Sequence, residues 1–293
     1  MFRLTVFTKP LVMITCLALL AGCDALPTGS NSGSGSGSGS DPSASAAATT
    51  SHISLRQGQD AYARVLRNRV NESGLVDYTA LQRQPANLQQ ILDAIGSTPP
   101  ERYEGWDEEG KIAFLINAYN AITLKSIIDQ KHLKASIRDI VGVWKIRRHP
   151  VLGQSRTLDE IEHKILRRQF NEPRIHAALV CAAISCPPLR REPYTAEQLD
   201  GQLDDQVRRW LASPAGLQID RGRGTVKISA IFQWFSPDWK RGEKDPVSIP
   251  NHSKTSPELN FIGRYVDAED RAYILAGDYK LSYLDYDWSL NRQ

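Results

Sequence analysis

The feature that most constrains the fold is a helix without a polar face. Apolar spacing predicts a helix from Trp106 to about Gln130, which opens with an acidic run at residues 107–109. Its middle, residues 112–122, is apolar on nearly every side. Because a helix that is apolar all round is a buried one, we expect this segment to lie inside the domain.

Further elements follow from apolar periodicity and from turn signals. Helices are predicted at residues 54–72, 81–95, 158–170, 195–212 and 258–276. Hairpins are predicted at residues 143–157, around Leu152-Gly153, and at residues 217–229. The helix predicted at residues 195–212 opens with a predicted capping box formed by Thr195 and Gln198.

The class that these elements indicate is α+β. The short apolar run at residues 174–181 fits a strand or a helical turn, and its length favours a strand. The aromatic segment at residues 279–290 is expected to pack back onto the domain. Many helices with few strands predict a mostly helical single domain with a few short strands and hairpins, after a signal peptide and a flexible linker.

The N-terminus is typical of a secretory signal. Basic residues precede a short apolar stretch that ends in Leu20-Ala21-Gly22-Cys23, and this stretch is too short to span a membrane. The four-residue run resembles the lipobox of bacterial lipoproteins. That resemblance implies that residues 1–22 are a signal peptide and that Cys23 is acylated, with palmitate among the lipids, and becomes the mature N-terminus.

The segment after Cys23 is typical of a tether. Residues 23–51 are rich in Gly, Ser, Ala and Thr and cannot form a core, so the globular domain is predicted at residues 52–293. Asp24 beside the anchor favours retention in the inner membrane, with the outer membrane as the alternative. We therefore expect a protein held by its lipid on the periplasmic side of the cell membrane.

Charge and composition exclude some partners. The formal net charge of the chain is +3, and it stays at +3 when the first 51 residues, with two basic and two acidic side chains, are removed. This balance argues against nucleic acid as a partner. We expect no cofactor, and the membrane, reached through Cys23, is the only partner that the sequence indicates.

Two buried amides are the first candidate site residues. Asn117 and Asn120 lie three residues apart on the apolar helix and so share a face. A buried amide without partners costs about 1–3 kcal/mol, so both must form hydrogen bonds. Either they brace the backbone of a neighbouring loop or they line a pocket.

The segment from Arg174 to Pro188 holds a histidine and both cysteines of the predicted domain, Cys181 and Cys186. Three interpretations compete: a disulfide, a catalytic thiol, and a metal site. A disulfide requires a turn that brings the two Cα atoms within about 7 Å. Metal is the weakest interpretation, because no CxxC or HExxH spacing is present, and we expect none.

Two histidines are candidate bases for the thiol. His176 lies five residues before Cys181, a spacing that points the two side chains apart on either a strand or a helix unless the chain bends. His163 is the other candidate, and its neighbours Glu160 and Glu162 could orient it. The alternative for His163 is a solvated helix face.

Four blocks together resemble the family called domain of unknown function 547. They are Phe114-Leu-Ile-Asn-Ala-Tyr-Asn-Ala121, Leu158-Asp-Glu-Ile-Glu-His163, residues 174–188, and Leu284-Asp-Tyr-Asp-Trp-Ser-Leu-Asn291. The resemblance spans roughly residues 70–291 and implies that Asn117, Asn120, Glu162, His163, His176, Cys181, Asp287 and Trp288 belong to its motifs. Some eukaryotic relatives have no cysteine at the position of Cys186, which favours Cys181 as the thiol of interest.

The family has no settled activity, so the functional prediction rests on residue chemistry. We expect a thiol-dependent hydrolase or transferase of the cell envelope, with Cys181 as nucleophile and His163 or His176 as base. Asn117 or Asn120 would orient the substrate or stabilise an oxyanion. The alternative is a non-catalytic binding or assembly module in which Cys181 and Cys186 are structural.

Overall fold

A computed structural model describes residues 53–242 and 246–293. The helices are α1 (Leu55–Arg69), α2 (Tyr78–Arg83), α3 (Ala86–Ser97), α4 (Pro100–Glu104), α5 (Glu108–Ile128), α6 (Arg167–Gln169), α7 (Ile175–Ala178), α8 (Leu199–Leu211), α9 (Ala230–Trp234), α10 (Ser236–Arg241), α11 (Ser256–Gly263) and α12 (Ala268–Ala276). The strands are β1 (His149–Val151), β2 (Gln154–Arg156), β3 (Leu217–Asp220), β4 (Thr225–Ile228) and β5 (Lys280–Tyr283). Short 3-10 turns lie at Ile137–Asp139 and Ala196–Gln198, and a π-helix lies at Glu160–Leu166. The predicted mostly helical α+β class is confirmed.

The predicted lipid anchor lies outside the part of the chain that the structure describes. The predicted signal peptide at residues 1–22 and the whole of the predicted linker at residues 23–51, with Cys23, precede the first described residue. Within the described ranges, no helix is both long enough and apolar enough to cross a membrane.

The central apolar helix is buried, as the sequence predicts. The side chain of Asp107 accepts a hydrogen bond from the Gly110 amide and caps the N-terminus of α5. From Ile112 to Ile128 only Lys125 is not fully buried. The helix is therefore surrounded by other elements, and any polar side chain along it needs a partner inside the protein.

Helix boundaries differ from the prediction where the chain carries a local stop. The helix predicted at 81–95 is two helices, because Pro85 cannot donate the amide bond that a continuous helix needs. The helix predicted at 258–276 is also divided, because Asp267 caps a new helix with its side chain. The predicted capping box is wrong, since Thr195 makes no side-chain cap bond and its amide donates to Gln202.

Both predicted hairpins are present, and one of them is extended by the C-terminal segment. β1 and β2 pair antiparallel around Leu152-Gly153, and β3 pairs antiparallel with β4. β5 then joins β4 in parallel. The strand predicted at 174–181 is wrong over most of its length, because residues 175–178 form the single turn α7. A short buried run has no periodicity that separates these two states.

The apolar side chains form two clusters. The larger cluster surrounds α5. It includes most of the buried apolar side chains of α1, of α3 and of the segment that holds the two cysteines. The smaller is built on aromatic rings of α8, α9, α10 and α11, among them Trp210, Phe232 and Trp239. Helix α7 lies at the boundary, since Ile175 and Ala178 belong to the first cluster and Ala177 to the second.

Two helical glycines are expected to respond oppositely to alanine. A Cβ on Gly58 of α1 would lie 2.6 Å from Ala94 Cβ of α3, whereas a Cβ on Gly201 of α8 would meet no atom within 4 Å. Gly58→Ala therefore lowers the free energy of unfolding by about 1–3 kcal/mol through overpacking. Gly201→Ala raises it by up to about 1 kcal/mol through helix propensity. Equilibrium urea unfolding measures both, and stabilisation by Gly58→Ala would contradict the close packing of α1 on α3.

Candidate functional site

A cavity of about 260 Å³ lies where the two apolar clusters meet. Six of its fifteen lining residues are Tyr, Trp or Phe, and the others include two acids, two histidines and both cysteines. The lining side chains are Tyr119, Trp144, Lys145, Asp159, Glu162, His163, His176, Leu179, Cys181, Cys186, Ile231, Trp234, Phe235, Tyr286 and Trp288. Of the sequence-predicted site residues, His163, His176, Cys181 and Cys186 line this cavity, and Asn117 and Asn120 do not.

The short helix α7 explains how His176 and Cys181 come to line one cavity. His176 lies in the helical turn, and the chain becomes extended at Leu179, immediately after it. This change of backbone conformation is the bend that a five-residue spacing requires. The two side chains therefore face the same space.

The side-chain amides of both asparagines form hydrogen bonds with the backbone of neighbouring segments. Asn120 donates to the Ala178 carbonyl at 2.9 Å and accepts from the Val180 amide at 2.9 Å. Asn117 makes the same pair of bonds with the backbone of Tyr194, at 2.8 and 3.0 Å. Asn120 therefore holds the segment that leads directly into Cys181, and Asn117 holds a segment farther along the chain.

The two cysteines are joined by a disulfide with a Cα separation of 6.3 Å. The turn that brings them together includes Ala182, whose φ of 62° is unusual for a residue other than glycine. The turn is closed by a hydrogen bond from the Cys186 amide to the Ala183 carbonyl at 3.1 Å. Cys186 is buried, with 6% of its surface exposed, whereas Cys181 is partly exposed.

The C-terminal segment packs over the cysteine turn. The amide of Ile184 donates to the Ser289 carbonyl, and that of Ser185 donates to the Asp287 carbonyl, at 2.8 and 3.2 Å. This pairing places the Tyr286 hydroxyl 3.3 Å from Cys181 Sγ and 3.2 Å from Cys186 Sγ. The aromatic tail therefore supplies one wall of the cavity.

His176 is oriented by a buried carboxylate. Its Nε2 lies 2.9 Å from Asp238 Oδ2, and its ring stacks on Phe235 at 4.0 Å. Burial alone would raise the pKa of Asp238, but hydrogen bonds from His176 and Arg167 outweigh burial and hold that pKa well below its ordinary value. Because the ionised carboxylate only accepts, Nε2 carries the ring proton and Nδ1 is the basic nitrogen.

The charge state of His176 suits a base. Burial lowers its pKa below the ordinary value, and the hydrogen bond to Asp238 opposes that shift only in part. The ring is therefore neutral near pH 7. A neutral imidazole with an oriented N–H can take a proton at its other nitrogen.

His163 is arranged differently, although it also lines the cavity. Arg167 Nη1 lies 2.9 Å from His163 Nδ1, and an arginine can only donate. The basic nitrogen of His163 is therefore already occupied. Arg167 also bonds Asp238 at 2.5 Å, so this guanidinium links His163 to the carboxylate that orients His176.

Glu162 places a carboxylate among the aromatic rings of the cavity, with 12% of its side chain exposed. Burial and the nearby charge of Glu162 raise the pKa values of Tyr119 and Tyr286. Both phenols are therefore protonated at neutral pH and can act as hydrogen-bond donors. Glu162 belongs to the π-helix, a conformation found frequently at functional sites.

Sequence reasoning missed three contributors to this site: Asp238, Tyr286 and Phe235. Asp238 lies 62 residues after His176, and its carboxylate contacts Nε2 of the His176 ring. Its only sequence signal is an acid within an aromatic run, Trp234-Phe-Ser-Pro-Asp-Trp239. Among the described residues, no group of three or more His, Cys, Asp or Glu side chains is placed to share a metal ion.

Residues 103–211 match the family described as "Protein of unknown function, DUF547". This range contains the first three of the four sequence blocks and leaves out the block at residues 284–291. The comparisons with curated proteins and with solved structures found no match. Over residues 103–211, the chain is therefore similar to the DUF547 family.

Proposed function

We propose that the cavity is the active site of a thiol-dependent hydrolase or transferase, with Cys181 as nucleophile and His176 as general base. The observation that carries this proposal is the buried Asp238–His176 pair, which orients a neutral imidazole beside the cavity that Cys181 lines. The Cys181 thiol gives its proton to His176 Nδ1, and the thiolate attacks an acyl carbon. His176 then returns the proton to the leaving group.

The structure favours His176 over His163 as the base because the basic nitrogen of His163 accepts from Arg167. Asn117 and Asn120 are positioning residues in this proposal, since both ends of each amide bond the backbone. The Cys181–Cys186 disulfide must be reduced before Cys181 can attack.

The test uses the reduced protein and p-nitrophenyl acetate. We expect a burst of p-nitrophenol equal to the protein concentration and an acetyl adduct on Cys181 detected by mass spectrometry. Cys181→Ser abolishes the burst, and His176→Ala slows it about 100-fold or more, the usual contribution of a general base. His163→Ala is the matched control and leaves the burst within a few-fold.

Two results would contradict the proposal. One is a wild-type protein that forms no adduct on Cys181. The other is a Cys181 thiol that reacts with iodoacetamide with the pH dependence of an ordinary cysteine, near a pKa of about 8.5.

The second candidate is a non-catalytic binding module that uses the same cavity. The observation that favours it is the number of aromatic rings at the cavity, among them Trp234, Tyr286 and Trp288, whose centroids lie 4.6–5.8 Å apart. Trp234 is 45% exposed, so a ligand can stack on it. An inert disulfide together with ligand-induced quenching of tryptophan fluorescence would support this candidate.

We also propose that the protein is a lipoprotein of the cell envelope, anchored through Cys23 on the periplasmic side of the inner membrane. The support is the run Leu20-Ala21-Gly22-Cys23, the Gly/Ser-rich segment after it, and Asp24. Cys23→Ser is expected to abolish metabolic labelling with palmitate. Recovery of the protein from outer-membrane fractions of its own host would contradict the inner-membrane assignment.

A further inference from the structure

We infer that the Cys181–Cys186 pair carries out thiol–disulfide exchange, in which a thiolate attacks Cys181 and Cys186 is the leaving sulfur. This activity goes beyond the proposed acyl chemistry and does not depend on it. The substrate class is a dithiol, such as a peptide with two reduced cysteines. Three observations carry the inference: the unequal exposure of the two cysteines, the backbone amide that donates to Cys186 Sγ, and the aromatic cavity that opens onto the disulfide.

Exposure selects the sulfur that is attacked. Both cysteines line the cavity, but Cys181 is partly exposed, whereas Cys186 is only 6% exposed. An incoming thiolate therefore reaches Cys181 Sγ through the aromatic cavity. Access of this kind decides which sulfur of a disulfide is attacked.

A backbone hydrogen-bond donor selects the sulfur that leaves. The backbone amide of Cys181 donates to Cys186 Sγ at 3.0 Å. The Tyr286 hydroxyl lies between the two sulfurs, 3.2 Å from Cys186 Sγ and 3.3 Å from Cys181 Sγ. Burial and the charge of Glu162 raise the pKa of Tyr286, so its hydroxyl keeps its proton. When the disulfide opens, the amide faces the charge that develops on Cys186, and the Tyr286 hydroxyl is within reach of the same sulfur. Donors to a thiolate lower the pKa of its thiol.

The exchange balances without a further oxidant. The substrate thiolate forms a bond to Cys181 Sγ, the Cys181–Cys186 bond breaks, and its electron pair goes to Cys186 Sγ. The second substrate thiolate then attacks the substrate sulfur of the mixed disulfide, and the electron pair goes to Cys181 Sγ. The substrate loses two electrons and becomes a disulfide, its two protons pass to solvent or to the cysteines, and the protein becomes the dithiol.

Stabilisation of the reduced form makes the disulfide oxidising. A disulfide whose product thiolate is stabilised transfers more readily to a partner, because the reduced protein is lower in free energy. The pair is therefore expected to act as a disulfide donor. Loss of the Tyr286 hydroxyl is expected to weaken that tendency.

The first test equilibrates the full chain with mixtures of reduced and oxidised glutathione and counts protein thiols by alkylation and mass spectrometry. Tyr286→Phe is expected to shift the equilibrium toward the protein disulfide by about tenfold, the effect of one hydrogen bond to a charged group. Tyr103→Phe is the matched control, because the Tyr103 hydroxyl has no hydrogen-bond partner among the described residues. Equal constants for the Tyr286 variant and the wild type would overturn the stabilisation of the reduced form by the Tyr286 hydroxyl.

The second test separates the two cysteines. Each single variant keeps one thiol, which reacts with oxidised glutathione to form a mixed disulfide with glutathione. The Cys181 thiol of Cys186→Ser is expected to react at least about tenfold faster than the Cys186 thiol of Cys181→Ser. Equal rates would overturn the inference. Cys186→Ser keeps the Cys181 thiol, so a retained burst with p-nitrophenyl acetate leaves the acyl chemistry standing even when exchange fails.

Discussion

Replacing Asp238 with alanine is expected to lower the free energy of unfolding by about 3–5 kcal/mol, the usual effect of removing one partner of a buried ion pair. Asp238 is 5% exposed and accepts from His176 at 2.9 Å and from Arg167 at 2.5 Å. Without the carboxylate, the Arg167 guanidinium loses its counter-charge and the His176 ring loses its orienting partner. We expect acylation of Cys181 to fall as well, by about 100-fold.

Asp238→Asn separates charge from shape, and its effect depends on pH. The pKa of Asp238 is held below its ordinary value, so the carboxylate stabilises the fold above the unfolded pKa of about 3.9 and loses that contribution as pH falls. The stability difference between wild type and Asp238→Asn is therefore full at pH 7 and shrinks below about pH 4. Urea unfolding at several pH values measures it.

The control for Asp238 is an exposed ion pair. Arg223 and Asp220 lie 3.4 Å apart with most of the arginine in solvent. Asp220→Ala is expected to cost less than about 1 kcal/mol. If Asp238→Ala lowers the free energy of unfolding by as little as Asp220→Ala does, the ion pairs and hydrogen bonds of Asp238 contribute little to the stability of the fold.

Replacing Asn120 with alanine is expected to cost about 2–5 kcal/mol. The substitution leaves the Ala178 carbonyl and the Val180 amide buried without a partner, and each unsatisfied group costs about 1–3 kcal/mol. Because these groups flank the segment that leads into Cys181, we also expect altered alkylation rates of the reduced Cys181 thiol. Thermal unfolding and alkylation kinetics measure the two effects separately.

Asn117→Ala is the matched control, since Asn117 lies on the same helix and bonds the backbone of Tyr194 in the same way. We expect a similar loss of stability with little change at Cys181. If both variants alter the Cys181 thiol equally, the effect comes from general loosening of α5 and not from the segment that Asn120 holds.

Much of the fold could be predicted because local signals act over a few residues. The helix α5 has apolar side chains on every face, so it cannot be stable in water and must be buried. The two hairpins follow from turn residues between short strands. The segment at residues 174–181 could not be assigned from such signals, because a short buried turn and a short buried strand share the same apolar pattern.

The sequence by itself determined which residue types are available: two thiols five residues apart, two nearby histidines, and amides on a buried helix that had to find partners. Only the tertiary structure decided what each of them does. It brings Asp238 behind His176 and Tyr286 against both sulfurs from 62 and about 100 residues away, and it occupies the basic nitrogen of His163 with Arg167. The physical reason is that pKa, hydrogen bonding and access depend on neighbours in space, which local periodicity does not encode.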